Sequence, residues 1–173
     1  MKKLLITISS LLLMACSHVD VSQYCQNRPQ FDPYDFFNGP IKVEGIVLSR
    51  SGELLRHFTA DINASWNEKQ GNLEEVFYWS DGEKQLRDWL FKPGKNNTWI
   101  GTAEDVEGEA ELRFAGNAIH MRYQLNVPID GDIITLTMDD WLYQVTDKVI
   151  INKTRMSKFG FSVGEVILTM RKP

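Results

Sequence analysis

The sequence predicts an all-β fold: an antiparallel up-and-down β-barrel of about 8–10 strands. Three features carry that expectation. Apolar and polar residues alternate with a period of two over long runs. Turn signals recur at hairpin spacing. No amphipathic helical pattern of ten residues or more interrupts the series.

The first fifteen residues stand apart. Lys2 and Lys3 precede an apolar run from Leu4 to Leu13, and Leu13-Met14-Ala15-Cys16 reads as a lipobox. The apolar run is too short to cross a bilayer, which takes about 20 residues. The chain is therefore expected to be a lipoprotein: a signal peptide over 1–15, a lipidated N-terminus and tether over 16–35, and one β-barrel domain over 36–173. Cleavage before Cys16 leaves 158 residues, 173 less the 15 of the leader. Acyl chains on Cys16 contribute roughly 0.8 kcal/mol per buried CH₂, so several chains anchor durably. Ser17 is not the aspartate that commonly retains such proteins in the inner membrane. The expected address is the envelope of a Gram-negative bacterium, at the outer membrane facing the periplasm. With Cys16 taken by lipid, Cys25 has no intramolecular disulfide partner.

Pro29, Pro33 and Pro40 then punctuate the aromatic stretch Phe31, Tyr34, Phe36 and Phe37. Prolines prevent a long helix there, and the aromatics suggest a segment packed over one end of the domain. From Ile41 onward strand follows strand. Phe58, Ala60, Ile62, Ala64 and Trp66 alternate with His57, Thr59, Asp61, Asn63 and Ser65. Ala110, Leu112 and Phe114 alternate with Glu109, Glu111 and Arg113. Ile119, Met121, Tyr123, Leu125 and Val127 alternate with His120, Arg122, Gln124 and Asn126. Ser51-Gly52, Gly71-Asn72, Asp81-Gly82, Gly116-Asn117 and Asp130-Gly131 mark turns. A meander of this kind removes its exposed edges by closing, and eight to ten strands enclose room for one small ligand. The outward phases carry Glu, Arg, Asp and Lys rather than an apolar band, which argues against a membrane-spanning barrel.

Charge and motifs exclude several classes. Without Lys2 and Lys3 the chain has 17 basic and 23 acidic residues, a net charge of −6. A mildly acidic surface without a basic block does not bind nucleic acid. Gly160-Phe161-Ser162-Val163-Gly164 matches the nucleophile-elbow pattern, but no helix and no later histidine follow, so the elbow is rejected. His18, His57 and His120 lack metal-ligand spacing. No nucleotide fingerprint is present, and no cofactor or metal is expected.

The polar residues of interest sit among aromatics. In Leu86-Arg87-Asp88-Trp89-Leu90-Phe91, Arg87 shares a strand face with Trp89 and Phe91. If that face points inward, the guanidinium needs a carboxylate or a charged ligand head. Asp105, Asp139 and Asp140 offer such carboxylates. Paired acids beside Trp141 also suit a general acid/base couple; otherwise Asp139-Asp140 is a turn.

Asp81-Gly82, Arg87-x-Trp89, the run from Gly101 to Ala110, Gly116-Asn117-Ala118, the run from Asp139 to Tyr143 and Lys158-Phe159-Gly160 occur in order. That series resembles the bacterial lipoprotein family known as domain of unknown function 3833, over roughly Phe36 to Met170. The resemblance implies a lipocalin-like calycin fold without an established activity, and it leans the ligand toward lipid. Lipocalins carry G-x-W on the first strand, whereas this chain has Gly45-Ile46-Val47.

Three functions follow as expectations. The first is a membrane-anchored binding protein holding a fatty acid, with Arg87, Trp89, Trp99, Asp105, Tyr123 and Trp141 at the ligand. The second is a structural lipoprotein with a filled barrel and a protein partner of unknown kind. The third is an enzyme of lipid or envelope modification using Asp139 or Asp140.

Overall fold

The computed structural model describes residues 19–129 and 131–173. The leader, the lipobox with Cys16, Ser17, His18 and Asp130 lie outside the described residues. Ten strands close into an antiparallel barrel in chain order: β1 (Gly39–Ser49), β2 (Leu54–Trp66), β3 (Gly71–Trp79), β4 (Lys84–Pro93), β5 (Trp99–Thr102), β6 (Val106–Ala115), β7 (Ala118–Ile129), β8 (Asp132–Thr146), β9 (Val149–Lys158) and β10 (Phe161–Arg171). This is the up-and-down meander that the hairpin series predicts, and the lipocalin-like form that the resemblance implies. Closure comes from β1 against β10, with Ile46 opposite Ile167, so neither terminal strand leaves a free edge.

The alternation read from the sequence sorts the two faces. Phe58, Ala60, Ile62, Ala64 and Trp66 of β2 are buried inside, as are Met121, Tyr123 and Leu125 of β7. The outer wall is polar and ion-paired, with Lys42 Nζ 2.6 Å from Asp61 and Lys153 Nζ 3.1 Å from Glu165. No helix of the described residues is long and apolar enough to cross a membrane. Gly45 lets β1 and β2 pack tightly: a Cβ there would sit 2.3 Å from the Phe58 ring.

The two ends differ. The turns after β2, β4, β6 and β8 surround a solid aromatic floor, to which the segment before β1 contributes Phe31, Phe36 and Phe37. Phe37 stacks on Trp66 at 5.6 Å, and Trp66 packs on Phe91 at 5.1 Å and Trp99 at 4.7 Å. The region assigned to a tether is thus partly structural. A 3₁₀ turn (Val21–Tyr24), capped by Asp20, buries Val21. A one-turn helix, α1 (Pro33–Phe36), capped by Asp32 and with Pro33 in its first turn, delivers Phe36 to the core. Cys25 is exposed and free. The other five hairpins form an open rim.

Gly116 holds this N-terminal strap. Its φ is +57°, and an added Cβ would lie 1.7 Å from the Tyr24 carbonyl oxygen. Its own carbonyl accepts the Phe31 N–H at 2.7 Å. A Gly116→Ala substitution meets both a left-handed backbone cost of about 1–2 kcal/mol and that collision. We expect its melting temperature to fall by roughly 4–8 °C, with residues 19–31 becoming protease-sensitive. A variant whose strap resists cleavage like the wild type would contradict this role.

Candidate functional site

Halfway along the barrel the apolar interior gives way to a charged layer. On β3 the inward residues run Leu73, Glu75, Phe77 and Trp79 from floor to rim; on β4 they run Phe91, Trp89, Arg87 and Gln85. The register sets Glu75 directly opposite Arg87. Asp105 comes from the short β5–β6 turn, fixed by its own carbonyl accepting the Asn126 N–H of β7 at 2.8 Å.

Arg87 is therefore inside the barrel, and it has found its carboxylate. Nε lies 2.9 Å from Asp105 Oδ2 and 3.1 Å from Oδ1, while Nη2 lies 2.7 Å from Oδ2. Nη1 turns the other way and stops 3.9 Å from Glu75 Oε2. That gap is too wide for a hydrogen bond and suits one bridging oxygen atom. The guanidinium also sits 5.4 Å from the centre of the Phe77 ring. Tyr123 reaches the same layer from β7, its ring edge-on to Trp89 at 5.3 Å.

A second polar group meets the layer from β8 and β9. Asp140 accepts hydrogen bonds from the Thr154 hydroxyl at 2.7 Å and from the Asn152 amide. Its register partner on β9 is Thr154.

The electrostatics follow from burial. Glu75 is only 7 % exposed. Desolvation pushes its carboxyl up to about 7; Arg87 pulls it down, and the charges of Asp105, Asp140 and Asp88 add to the rise. Burial also raises Asp140, partly offset by its hydrogen bonds to Thr154 and Asn152. The Tyr123 hydroxyl is pushed far up by burial and by Asp140, so it remains a donor. For Arg87 burial works against the charge, but Glu75 and Asp105 outweigh it and the guanidinium stays protonated. The layer thus offers, near neutral pH, one permanent cation, a carboxyl close to its titration midpoint and a phenol.

Rimward of this layer the inward side chains Val47, Trp79, Val127, Ile134, Met156 and Val166 remain only partly buried. They pack against the buried rim-side residues Phe58, Phe77, Leu125 and Leu136, so the rim half is less completely covered than the floor half. Two surface concavities lie elsewhere, on the outer wall: one of about 170 Å³ over Trp141 and Arg155, one of about 310 Å³ beside Val19 and Arg122.

The sequence-derived site residues separate accordingly. Arg87, Asp105, Trp89 and Tyr123 come together. Trp99 lies deeper, in the aromatic floor. Trp141 requires a correction: it is on the outer wall, with His120 at 4.3 Å and Tyr24 of the strap at 5.8 Å between ring centres. Asp139 and Asp140 are neither a turn nor a couple. They are neighbours within β8, and neighbours in a strand face opposite sides. Asp139 faces outward, 2.8 Å from His120 Nε2 and 2.9 Å from Arg155 Nη2. Burial opposes its charge, but these two hydrogen bonds and the nearby positive charges hold it below its usual value. The sequence reading missed Glu75, Asn152 and Thr154. Glu75 was findable, since it occupies the apolar phase between Leu73 and Phe77.

Residues 10–172 match the family model described as protein of unknown function (DUF3833). The chain belongs to the DUF3833 family. No curated protein matches it.

Glu75 gives the layer a pH signature. Its carboxyl holds a proton more tightly in the folded barrel than at its ordinary value of 4.5. The stability it contributes is complete below that value and is lost as pH rises through about 7. Glu75→Gln keeps the shape and removes the titration. Denaturant unfolding should find the variant near wild type at pH 4.5 and more stable by about 3 kcal/mol at pH 8. A difference that does not change with pH would refute the buried carboxyl that titrates near neutral pH.

Proposed function

We propose that this DUF3833 protein is an envelope lipoprotein, anchored through Cys16, whose barrel binds a small amphiphile such as a fatty acid. The observation that carries the reading is the charged layer set across the barrel interior, below rim-side apolar side chains that stay only partly buried. An acyl tail would lie among Val47, Trp79, Val127, Ile134 and Val166, and the head would rest on Arg87 Nη1, Glu75 and Tyr123.

The pairing of Arg87 with Asp105 changes how such a head is held. A carboxylate does not meet a free guanidinium. It meets the Nη1 side of one already paired, a protonated Glu75 and the phenol of Tyr123. Both neutral groups donate hydrogen bonds, and hydrogen bonds to a charged acceptor contribute about 1.5–3 kcal/mol each. Above pH 7 the ionised Glu75 repels the same head. A filled, structural barrel remains the second reading, supported by the solid aromatic floor.

Native mass spectrometry of the protein purified from its own host, with organic extraction, tests occupancy directly. A stoichiometric amphiphile is expected; an empty barrel that also ignores added dodecanoate would select the structural reading. Titration with dodecanoate checks the head site. Affinity should fall about tenfold for each pH unit above 7, and in Glu75→Gln it should stay flat. Tyr123→Phe should weaken binding roughly tenfold or more at every pH.

A further inference from the structure

The open rim is lopsided. Around the barrel the hairpins β1–β2, β9–β10 and β7–β8 are neighbours, because β1 pairs with β10 and β9 with β8. Those three tips expose Leu54, Leu55, Phe159, Phe161, Ile129 and Ile133 as one arc, with Phe159 89 %, Ile133 74 % and Phe161 71 % exposed. The remaining two tips, β3–β4 and β5–β6, present exposed Asp81, Glu83 and Glu104, with Leu86 and Tyr78 as the exposed apolar side chains of β3–β4. The three hairpins of the arc carry both signs of charge in sequence: Arg50 and Lys158, with Glu53, Asp130 and Asp132.

Phe159 is the sharpest feature. The β9–β10 hairpin turns on two residues, Phe159 and Gly160, with φ of +51° and +84°. A turn with both central residues left-handed favours Asn-Gly, and a bulky side chain there is a conformational outlier. The phenyl makes no core contact that offsets this cost. A strained, fully projecting aromatic has no folding purpose, and an exposed apolar patch marks an interaction surface.

The strap indicates the occupant. From Phe31, bonded to Gly116 in the floor-side turn, the chain climbs the outer wall past Tyr143 at Tyr24. It reaches Glu111 and Arg122 at Val19. Its course thus runs from floor toward rim beside β7, whose hairpin carries Ile129 and Ile133. Cys16 stands three residues before Val19.

We propose that this apolar arc docks on a lipid bilayer surface, so that the barrel mouth opens against the membrane with its acidic tips turned away. The inference rests on the anchored, amphiphile-binding reading and adds how the ligand enters: directly from the lipid phase, through the mouth. Because the arc carries no excess of basic charge, contact is apolar and does not depend on low salt.

Hydrogen exchange read by mass spectrometry tests it on the full chain, with and without vesicles of phosphatidylethanolamine and phosphatidylglycerol, at low and high salt. Exchange at 50–55, 131–134 and 157–161 should slow at least tenfold with vesicles at both salts, while 80–83 is unchanged. The control is Phe159→Asn with Ile133→Thr. Asparagine suits the left-handed turn and threonine suits a strand, so the melting temperature should hold while the protection disappears. Absence of protection in the wild type, or equal protection in the variant, would overturn the proposal. So would protection that needs no vesicles and grows with protein concentration, which would mean a second copy covers the arc. Intact mass reports lipid on Cys16 and native mass reports the amphiphile, so the anchor, the ligand and the docking can each fail separately.

Discussion

A guanidinium inside a barrel of apolar side chains is tolerable only if carboxylates meet it there, and much of this interior is arranged around that requirement. An unpaired buried charge costs several kcal/mol even after relaxation. Arg87 satisfies it by gripping Asp105 through Nε and Nη2, which ties β4 to the β5–β6 turn. The Asp105 carbonyl in turn holds β7 through Asn126. The pair and that backbone bond together tie β4, the β5–β6 turn and β7 at one height of the wall.

That single placement divides the barrel into two halves with different physics. Toward the floor, rings stack in an unbroken series from Trp89 through Phe91 and Trp66 to Trp99, and the strap seals the end with Phe31, Phe36 and Phe37. Toward the rim a smaller group of rings, Phe58, Phe77 and Trp79, packs on one side, and the inward aliphatics Val47, Val127, Ile134 and Val166 keep part of their surface uncovered. A second carboxyl, Glu75, then sits where a low dielectric and three neighbouring acids disfavour its charge. Its proton becomes the adjustable element of a site otherwise locked by pairing. The same logic separates Asp140 from Asp139: the inner one is stabilised by a hydroxyl and an amide, the outer one by a cation and a histidine.

The fold was legible in the sequence because a strand's period is two and its turns have a chemistry. The alternation on β2 and β7 and the Asp-Gly and Gly-Asn pairs predict both strands and closure. That Arg87 shares a face with Trp89 and Phe91 was legible from the alternation, but that this face points inward was not. Glu75 falls in an apolar phase by the same alternation and was passed over because its neighbour Glu74 makes the pair look like a solvated edge. Asn152 and Thr154 gave no such signal; only register against Asp140 assigns them a task.

What the sequence by itself determined is the set of residues that share each face: alternation groups Asp139 with Trp141 and Tyr143, and Asp140 with Met138 and Leu142. Which set faces inward is decided by what each can bury. On β8 both sets are rich in apolar surface, so the local pattern is ambiguous. The tertiary structure resolves it by laying Tyr24 of the strap over Trp141 and Tyr143, giving the outer aromatics a cover and leaving the interior to Met138, Asp140 and Leu142. The partner of Arg87 is likewise a matter of tertiary structure. Asp105 and Arg87 are eighteen residues apart, and only the curvature of a closed barrel brings a turn carboxylate down onto a mid-strand guanidinium.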